Sequence, residues 1–433
     1  MGIKTIKNVD LAGKTVLLRA DYNVPIVDGR IADDYRIKQS LPTIKYLLDN
    51  GVKKLVIISH LGRPESSQDK SCSLLSVASR LSQLLGSQVY FEDDCVGQAT
   101  QKAIANVAHG VFLLENLRFH PEEEKNDPVF AKELAATSGA DLFVQDGFGV
   151  VHRAHASTDA IARVLPAVAG LLLAHEVEVI EGAMKDPARP LVAVVGGAKI
   201  SDKIDVLNRF IDIADCVAVG GALANDFLKA ERTSVGKSLV DNDSIEVARD
   251  VIAKARRAEK QRNFNLLIPS DAVVSRSADG KSATRVVDLS KHGLADIESY
   301  PKKPPLSRFT IKPTEMILDI GPASAAQIAG AVKLSSTVIW SGTMGMTEVK
   351  GLAGADDPFG HGSRVVVEAM IGTSRAHAHK PFSIVGGGDT VSYVETNKLV
   401  ADFNHVSTGG SASLELMAGH KLPGIEVLKT GGS

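Results

Sequence analysis

The sequence predicts an α/β fold with two Rossmann-like domains, each a mostly parallel sheet with helices on both faces, joined by a hinge helix. Short apolar, β-branched runs recur along the chain, from TVLLRA and KLVIIS to FSIVG and FNHVS. A Gly, Pro or polar turn follows each run, and then a segment with the 3.6-residue periodicity of a helix. The chain has 433 residues, which is enough for two or three hydrophobic cores.

The apolar runs fall into two sets separated by a helical segment. The first set is TVLLRA, KLVIIS, VFLL and DLFVQD, and the second is LVAVV, CVAVG, NLLIP, MILDI, TVIW, FSIVG and FNHVS. Between them, LLLAHEVEVIEGAMKDPARP has a helical pattern that Pro187 and Pro190 stop. We therefore expect a first domain at residues 1–170, a connecting helix and hinge at 171–190, and a second domain at 191–405.

Composition limits the partners and the compartment. The chain has 49 basic and 51 acidic side chains, so no overall field favours nucleic acid or an anionic membrane, and an anion site must be built locally. Cys72, Cys95 and Cys216 are odd in number and lack CxxC spacing, which speaks against a disulfide framework and a zinc ribbon. The sequence has no signal-peptide pattern and no apolar run near the roughly 18 residues of a membrane span. We expect a soluble cytoplasmic protein.

Basic side chains follow the predicted strands of the first domain. Ligands bind beyond the carboxyl ends of parallel strands, so the turns after the runs are the places to search. Those turns hold Arg36, Arg63, Arg118 and Arg153, together with His60, His152 and His155. Several guanidinium groups at one rim would suit a small, multiply charged anion, and separate surface salt bridges are the alternative. The two histidines of HRAH lack a third ligand and do not indicate zinc.

Two polar residues precede Pro25 in RADYNVP. Asp21 and Asn23 follow a predicted strand, so their side chains could reach the same rim and contact a hydroxyl group. An Asx turn is the alternative, because Asp and Asn often bond their own backbone in turns. The sequence leaves both interpretations open.

Glycine-rich turns follow the predicted strands of the second domain. LVAVVGGAKISDK places Lys199 and Lys203 four residues apart. If a helix begins there, both lysines share a face near its positive end and suit a polyphosphate; a solvated helix face is the alternative. In IVGGGDTVSY, the glycines allow close backbone approach to an oxyanion and the following helix offers free N–H groups. Asp389 supplies a hard oxygen ligand for magnesium.

Two partial motifs do not qualify as signatures. ERTSVGKSL ends like a P-loop, but Glu231 stands where the first glycine belongs, so we expect no Walker-type NTPase. GGGDTV partly matches GxGxxG, with Val391 in place of the last glycine and no acid about 20 residues further on to hold a ribose. A nicotinamide-dependent dehydrogenase is therefore only an alternative, as is a non-catalytic phosphate-binding protein.

Nine motifs together resemble those of one enzyme family. LLRADYNVP, LPTIKYLL, SHLGRP, LLENLRFH, HRAHAST, GGAKISDK, IGPAS, GGGDT and HVSTGGSASLEL look like phosphoglycerate kinase motifs, in order from about residue 3 to the end. The resemblance implies reversible phosphoryl transfer between 1,3-bisphosphoglycerate and Mg-ADP, giving 3-phosphoglycerate and Mg-ATP in glycolysis. It also implies Mg2+, ATP or ADP as co-substrate, a monomer, and hinge closure that brings the substrates together.

The family's site residues are carried over where the motifs match. By resemblance, the glycerate is bound by Asp21, Asn23, Arg36, His60, Leu61, Gly62, Arg63, Arg118 and Arg153. The nucleotide is bound by Lys199, Lys203, Gly220, Gly221, Gly321, Glu348, Gly387, Gly388, Asp389 and Thr390. Asp389 is also the magnesium ligand. The C-terminal segment 411–433 should pack back on the first domain, with a hinge near the connecting helix and around Thr408–Gly410.

The reaction needs positioning and positive charge. The attacking carboxylate or phosphate oxygen is already deprotonated at neutral pH, so no general base is required. We expect the transferring phosphoryl group to be stabilised by Arg36, Lys199, Lys203, Gly387 and Gly388.

The chain departs from the family in the turn after its tryptophan strand. The family usually has Asn and Pro where WSGTMGMTE has Ser341 and Thr343, and extra residues follow at 349–363 in VKGLAGADDPFGHGS. We hypothesise that contact with the nucleoside, or affinity for it, is altered while phosphate chemistry is kept. A neutral loop change is the alternative.

Overall fold

The chain forms two compact units in the computed structural model, which describes residues 3–66, 69–290, 308–351, 357–372 and 380–430. The first unit contains the residues up to Ile180, Ser411–Leu416 and the residues from His420 onward. The second unit contains Glu181–Gly410 and Met417–Gly419. The segments 349–363 and 411–433 singled out in the sequence each include some residues outside the described ranges.

The first unit is built on a six-stranded sheet in which every pairing is parallel, with strand order β5-β6-β4-β1-β7-β8. Its strands, with a small antiparallel hairpin formed by β2 and β3, are β1 (Thr15–Arg19), β2 (Ile26–Val27), β3 (Arg30–Ile31), β4 (Lys54–Ile58), β5 (Val89–Glu92), β6 (Gly110–Leu114), β7 (Leu142–Gln145) and β8 (Ala167–Ala169). Side chains on both faces of β1 are buried, since Val16, Leu17 and Leu18 are each 0% exposed. Such continuous burial is typical of a parallel sheet covered on both sides.

The helices of the first unit follow strands in alternation. They are α1 (Tyr35–Asp49), α2 (Leu75–Leu85), α3 (Gln98–Asn106), α4 (Pro128–Ser138) and the first part of α5 (Leu171–Lys185). Helix α4 shows why these boundaries form. Asp127 Oδ1 accepts hydrogen bonds from the N–H groups of Val129 (2.7 Å) and Phe130 (3.2 Å), and Gly139 ends the helix with a positive φ of 59°.

We expect Asp127→Ala to lower the free energy of unfolding by about 1 kcal/mol, because two N–H groups at the start of α4 lose their capping oxygen. Urea denaturation of the wild type and the variant measures the change. Glu133→Ala, on an exposed position of the same helix, is the control and should stay within about 0.5 kcal/mol. Equal losses in the two variants would show that the cap contributes nothing specific.

The second unit combines a parallel sheet with a smaller antiparallel one. The parallel sheet has the order β11-β10-β9-β15-β16-β17 and the antiparallel sheet the order β13-β12-β14. The strands are β9 (Leu191–Val195), β10 (Cys216–Val219), β11 (Asn265–Leu267), β12 (Asp271–Ser275), β13 (Thr284–Asp288), β14 (Met316–Ile320), β15 (Thr337–Ser341), β16 (Phe382–Gly386) and β17 (His405–Val406). The two parallel sheets confirm the predicted fold class.

The prediction that MILDI contributes to a parallel sheet is wrong. This segment forms β14, which pairs antiparallel with β12, so that Ala272 lies opposite Ile320. An apolar run shows that a strand is buried but does not determine the direction of its neighbour, which here depends on a partner more than 40 residues earlier. Six strands were not predicted, because they are short or partly polar: β2, β3, β5, β8, β12 and β13.

The helices of the second unit begin within α5 and include α6 (Ile204–Ile213), α7 (Leu223–Ala230), α8 (Ile245–Gln261), α9 (Pro322–Lys333), α10 (His361–Ile371) and α11 (Gly388–Thr396). The last two helices are α12 (Ser411–Met417) and α13 (Pro423–Thr430), and all of their residues except Met417 belong to the first unit. In the first unit, the N–H of Gly424 donates to the carbonyl of Val151 at 2.9 Å, which ties α13 to the loop after β7. Among the described residues, none of the helices combines the length and apolarity that crossing a bilayer requires.

Candidate functional site

The first unit gathers polar side chains at one edge of its sheet. Strands β6, β4, β1 and β7 are parallel neighbours in that order, so the turns after them lie at the same edge. Asp21 follows β1, His60 follows β4, Arg118 follows β6 and Arg153 follows β7. These four predicted residues therefore come from adjacent strand ends.

Asp21 holds Arg36 at this edge. Arg36 Nη1 donates to Asp21 Oδ2 at 2.8 Å and to the carbonyl of Asn23 at 3.2 Å. The Asp21 side chain is 6% exposed and that of Arg36 is 27% exposed, so part of the guanidinium reaches solvent. Asp21 Oδ1 meanwhile accepts the N–H of Asn23 at 3.1 Å. Oδ1 thus forms the Asx turn and Oδ2 holds the arginine, while contact of Asp21 or Asn23 with a substrate hydroxyl stays a prediction.

The loop after β4 is held from two sides. Asn23 Oδ1 accepts the N–H of Gly62 at 2.9 Å, and Arg118 Nη1 donates to the carbonyl of Gly62 at 2.7 Å. Gly62 has a φ of 63°, a conformation that favours glycine. Leu61 is 3% exposed and belongs to the core, so only its backbone can face the edge, whereas Arg63 is exposed.

A buried polar network, which the sequence did not reveal, contacts the His60 side chain at this edge. Arg19 is 0% exposed; its Nε donates to Ser157 Oγ at 2.8 Å, and its Nη2 lies 3.1 Å from His60 Nδ1. Ser157 Oγ donates in turn to Glu123 Oε1 at 2.6 Å. Burial, followed by the charge of Arg19, lowers the pKa of His60 well below its ordinary value. Because arginine only donates, neutral His60 carries its proton on Nε2 and can donate it to a ligand.

Like charges are concentrated at this edge. Burial is the main cause that lowers the pKa of Arg118. The charge of Glu124 raises this pKa, and the charge of Arg153 lowers it further. Burial and nearby arginines also lower the pKa of His152 and of His155 to about 4, so both are neutral at pH 7. Arginines held together at this cost are typical of a site for a multiply charged anion.

A separate group of potential metal ligands in the first unit is explained by an ion pair. Asp94, Cys95 and His120 have ligand atoms within 4.8 Å of one another. His120 Nε2 lies 2.7 Å from Asp94 Oδ1, and hydrogen bonding to Asp94 raises the pKa of His120. The same oxygen accepts the N–H of Cys95 at 2.7 Å. An imidazole hydrogen-bonded to a turn-forming carboxylate accounts for this cluster.

In the second unit, two glycine loops flank the end of the central strand. Strand β15 lies between β9 and β16, and its last residue, Ser341, pairs with Val195 and with Gly386. The loop after β9 contains Gly196 and Gly197, and the loop after β16 leads through Gly387 into α11. Both predicted phosphate-binding loops therefore meet at the same sheet edge.

No helix begins at Lys199, so the condition under which Lys199 and Lys203 would share a helix face is not met. Helix α6 begins at Ile204, after a turn in which the N–H of Lys203 donates to the carbonyl of Ile200 at 2.9 Å. Lys199 is exposed in the loop. Lys203 turns inward and donates from Nζ to the carbonyl of Gly196 at 2.7 Å. Burial lowers the pKa of Lys203 to about 8, and the charge of Asp389 acts in the opposite direction.

The N-terminus of α11 is open. Gly387 has a φ of 89°, and a Cβ atom placed at Gly388 would meet no heavy atom within 4 Å. The first N–H groups of the helix can therefore be approached closely by an anion, and Asp389 lies in the same first turn. Thr390 is 0% exposed, and its Oγ1 accepts the N–H of Gly342 at 2.5 Å, so its side chain holds the neighbouring turn.

The backbone of the SGTMG turn, which follows β15, contacts both the loop after β9 and the loop after β10. The carbonyl of Thr343 accepts the N–H of Gly197 at 3.2 Å, and the carbonyl of Met344 accepts the N–H of Gly221 at 2.9 Å. A Cβ atom at Gly221 would lie 2.7 Å from the backbone nitrogen of Gly197, so the close approach of these loops requires glycine. Nothing in the residue types of this turn indicated that role beforehand.

A cavity of about 830 Å³ opens beside these loops. Among the predicted nucleotide-binding residues, its lining includes Gly221, Glu348 and Asp389. Its apolar wall, which the sequence analysis missed, includes Leu239, Met316, Met346 and Tyr393. Apolar residues of this kind occur throughout any core, so their sequence carried no signal that they line a cavity.

Of the predicted glycines that lie outside that lining, Gly220 and Gly321 make room for neighbours. A Cβ atom at Gly220 would lie 2.4 Å from Met344 Sδ, and one at Gly321 would lie 2.1 Å from Asp271 Cγ. Asp271 Oδ1 accepts the N–H of Ser324 at 2.8 Å and so caps α9. Gly321 thus allows Asp271 to reach the start of that helix.

Comparisons with known proteins agree along the whole chain. The family model described as phosphoglycerate kinase matches residues 6–420. Phosphoglycerate kinases from Pelotomaculum thermopropionicum and Moorella thermoacetica are each 42% identical, over 429 residues (99% of both chains) and 425 residues (98% of both chains). The phosphoglycerate kinase structure from Coxiella burnetii matches with a TM-score of 0.79, 33% identity and full coverage of both chains. That from Pyrococcus horikoshii matches with a TM-score of 0.79, 28% identity and 99% coverage of both chains.

The match to the family model spans well over half of the chain, and the relatives are matched over nearly their full length. The chain therefore belongs to the phosphoglycerate kinase family and is a kinase that transfers a phosphoryl group reversibly between 1,3-bisphosphoglycerate and ADP.

Proposed function

We propose that each unit binds one substrate, the glycerate in the first and the nucleotide in the second. The observation that carries this assignment is the meeting of two glycine loops, one of which leads into the open N-terminus of α11, and the Lys203 ammonium at one sheet edge of the second unit. The proposed domains are residues 1–170, with 411–433 packing on them, and residues 191–405. In this proposal, hinge closure about the segment 171–190 brings the two substrates together. The protein acts as a monomer in the cytoplasm.

The glycerate phosphate and carboxylate bind to the basic edge of the first unit. Arg118 supplies positive charge beside Gly62, Arg153 adds a second charge that acts on Arg118, and exposed Arg63 adds a third guanidinium. Neutral His60 donates from Nε2 to the ligand. Asn23 shapes the Gly62 loop, and Asp21 acts mainly by holding Arg36.

The nucleotide binds across the loops and the cavity of the second unit. Its phosphates lie at the N-terminus of α11, at Gly387 and Gly388, with Lys199 and Lys203 beside them. The nucleoside occupies the cavity, where exposed Glu348 can accept from ribose hydroxyls. Gly220, Gly321 and Thr390 shape the surrounding backbone rather than the lining itself.

The residues at the edge of this cavity fit a magnesium site. Asp389 offers a carboxylate in the first turn of α11, beside an open helix N-terminus suited to phosphate. Magnesium commonly takes one or two carboxylates and completes its octahedron with phosphate oxygens and water. Bound there, the ion would neutralise phosphate charge. Asp389 is the residue that would hold it.

Phosphoryl transfer then depends on position and charge. A carboxylate oxygen of 3-phosphoglycerate attacks the γ-phosphorus of ATP while the bond to the ADP oxygen breaks, and both groups are deprotonated throughout. Arg36 from the first unit, with Lys199 and Lys203 from the second, stabilises the charge of the transferring group. The N–H groups at Gly387 and Gly388 complete the set of donors. Exclusion of water prevents hydrolysis of the nucleotide.

We expect Arg118→Ala to weaken binding of 3-phosphoglycerate by about 10- to 100-fold, because a charge-assisted hydrogen bond to the ligand is lost. Binding of Mg-ADP should not change, since that site is assigned to the other unit. Calorimetric titration with each ligand alone measures both affinities, and a coupled assay with 3-phosphoglycerate and Mg-ATP measures turnover.

Lys132→Ala, at an exposed helical position in the same unit, is the control and should leave both affinities as in the wild type. An equal loss of affinity for both ligands in Arg118→Ala would contradict the assignment of one ligand to each unit. A folded wild type that forms no product in the coupled assay would contradict the kinase activity itself.

A further inference from the structure

Ser341 occupies a central place between the two glycine loops. It ends β15 and pairs in register with Val195, which precedes the first loop, and with Gly386, which precedes the second. Its carbonyl also accepts the N–H of Gly196 at 2.9 Å. The side chain is 0% exposed and does not line the cavity proposed for the nucleoside. Direct contact with the base or ribose is therefore not the function that this position suggests.

The Ser341 hydroxyl instead contacts the ammonium group of Lys203. Nζ of Lys203 donates to Ser341 Oγ at 3.2 Å, to the Ser341 carbonyl at 2.9 Å and to the Gly196 carbonyl at 2.7 Å. An ammonium group has three donors, and these three oxygens account for them. One serine thus supplies two of the three acceptors that determine where the charge lies.

Both glycine loops pack directly against this pair. A Cβ atom at Gly342 would lie 2.6 Å from Lys203 Nζ, and one at Gly197 would lie 3.2 Å from it. A Cβ atom at Gly387 would lie 3.1 Å from Ser341 Oγ. The ammonium and the hydroxyl therefore lie at the floor of the loops that receive the phosphates, where small displacements would change the distance to a bound oxyanion.

The oxygens that hold Lys203 are all neutral. Asp389 on α11 and Asp202 beside Lys203 favour its charged form, but burial has the larger effect on its pKa. In the described part of the chain, Lys203 makes no ion pair within 4 Å. A phosphate group would thus be the first full negative charge in contact with this ammonium, and it would gain more from the lysine than the neutral oxygens do.

We propose that Ser341 is a positioning residue that holds the Lys203 ammonium against the phosphates bound at the N-terminus of α11. The proposal rests on the nucleotide site proposed above. It replaces the hypothesis that Ser341 adjusts contact with the nucleoside, because the hydroxyl faces the lysine and the side chain is buried outside the cavity.

The test measures Mg-ADP affinity by calorimetry, without turnover, for Ser341→Ala at pH 6.5 and pH 8. Loss of an acceptor disfavours the charged form of Lys203 and so lowers its pKa, which is about 8 in the wild type. A decrease of about one unit would weaken Mg-ADP binding about fivefold at pH 8 and less than twofold at pH 6.5. Affinity for 3-phosphoglycerate should not change. Ser341→Thr, which keeps the hydroxyl, should restore Mg-ADP affinity to within about twofold of the wild type.

Two further variants separate positioning from general damage. Ser341→Cys replaces the hydroxyl with a weak acceptor of similar shape and serves as the deletion variant if the alanine variant does not fold. Thr337→Val removes a buried hydroxyl at the opposite end of β15, where Thr337 Oγ1 donates to the Ala188 carbonyl at 2.8 Å. It should leave Mg-ADP affinity and its pH dependence as in the wild type.

Wild-type affinity in Ser341→Ala at both pH values would overturn the proposal. A loss of Mg-ADP affinity that is independent of pH and equal to that of Thr337→Val would also overturn it. A change confined to the preference for ADP over GDP would assign Ser341 to the nucleoside instead. Failure of the wild type to turn over while it binds Mg-ADP would contradict the proposed function alone. The binding comparison among the variants would still decide the role of Ser341.

Discussion

Arg36→Ala should lower kcat by about 10²- to 10³-fold while the protein stays folded. Removal of one preformed donor to a developing negative charge has an effect of this size. The structural loss is smaller, because the Arg36 side chain is partly exposed and Asp21 keeps its bond from the Asn23 N–H. Steady-state kinetics with 3-phosphoglycerate and Mg-ATP, together with thermal unfolding, measures the two effects separately.

A matched control for Arg36 is Arg163→Ala. Arg163 is also paired with a carboxylate, since its Nη2 lies 2.7 Å from Asp159 Oδ1, but its side chain is 66% exposed and has no proposed role in the reaction. Its loss should leave kcat within about twofold of the wild type. Arg36→Lys should recover only part of the activity, because lysine keeps the charge and loses the fork. Full activity in Arg36→Ala would remove Arg36 from the phosphoryl-stabilising set.

Lys203→Met should reduce kcat/KM for Mg-ATP by about 10²- to 10³-fold and leave the affinity for 3-phosphoglycerate unchanged. The substitution keeps the length of the side chain and removes the positive charge that we propose lies beside the phosphates. It also removes the Lys203 donor from the carbonyls of Gly196 and Ser341, of which Ser341 keeps the N–H of Gly196, so some loss of stability is expected. Kinetics with each substrate varied in turn, plus urea denaturation, separates these contributions.

Lys254→Met is the corresponding control in the second unit. Lys254 Nζ donates to the Asn208 carbonyl at 2.8 Å and pairs with Asp212 at 2.8 Å, on the surface of the unit. Its removal should change kcat/KM by less than about twofold. A loss in Lys203→Met that affects both substrates alike would point to general disruption of the fold instead of a phosphate contact.

The fold could be predicted from the sequence to a large extent because parallel strands covered on both sides need continuous apolar runs. β1 and β9 are fully or almost fully buried, and their sequences, TVLLR and LVAVV, show it. The partner of β14 could not be predicted in the same way, since MILDI reads like the other runs but pairs antiparallel with β12. Strand direction depends on a distant partner and not on the local pattern.

The sequence was enough to predict which residue types form the candidate site and which turns carry them. It was not enough to predict which side chains contact one another. For Asp21 and Asn23 the sequence left open an Asx turn or contact with a substrate hydroxyl. The structure shows the turn at Asp21 Oδ1 and a contact with Arg36 at Oδ2 that the sequence did not indicate. The helix expected at Lys199 begins instead at Ile204, because a turn precedes it. Arg19 lies 104 residues before Glu123 and 138 residues before Ser157 in the sequence. Only folding joins these three residues into one network.

The sequence by itself determined that this protein has two α/β domains with arginines after the strands of one and glycines after those of the other. These properties follow from local periodicity and from the rule that parallel strands end at one edge. Only the tertiary structure decided that Lys203 turns inward to Ser341, a residue 138 positions away. The physical reason is that the direction of a long side chain depends on which acceptors packing brings within reach, and those acceptors come from strands that are distant in sequence.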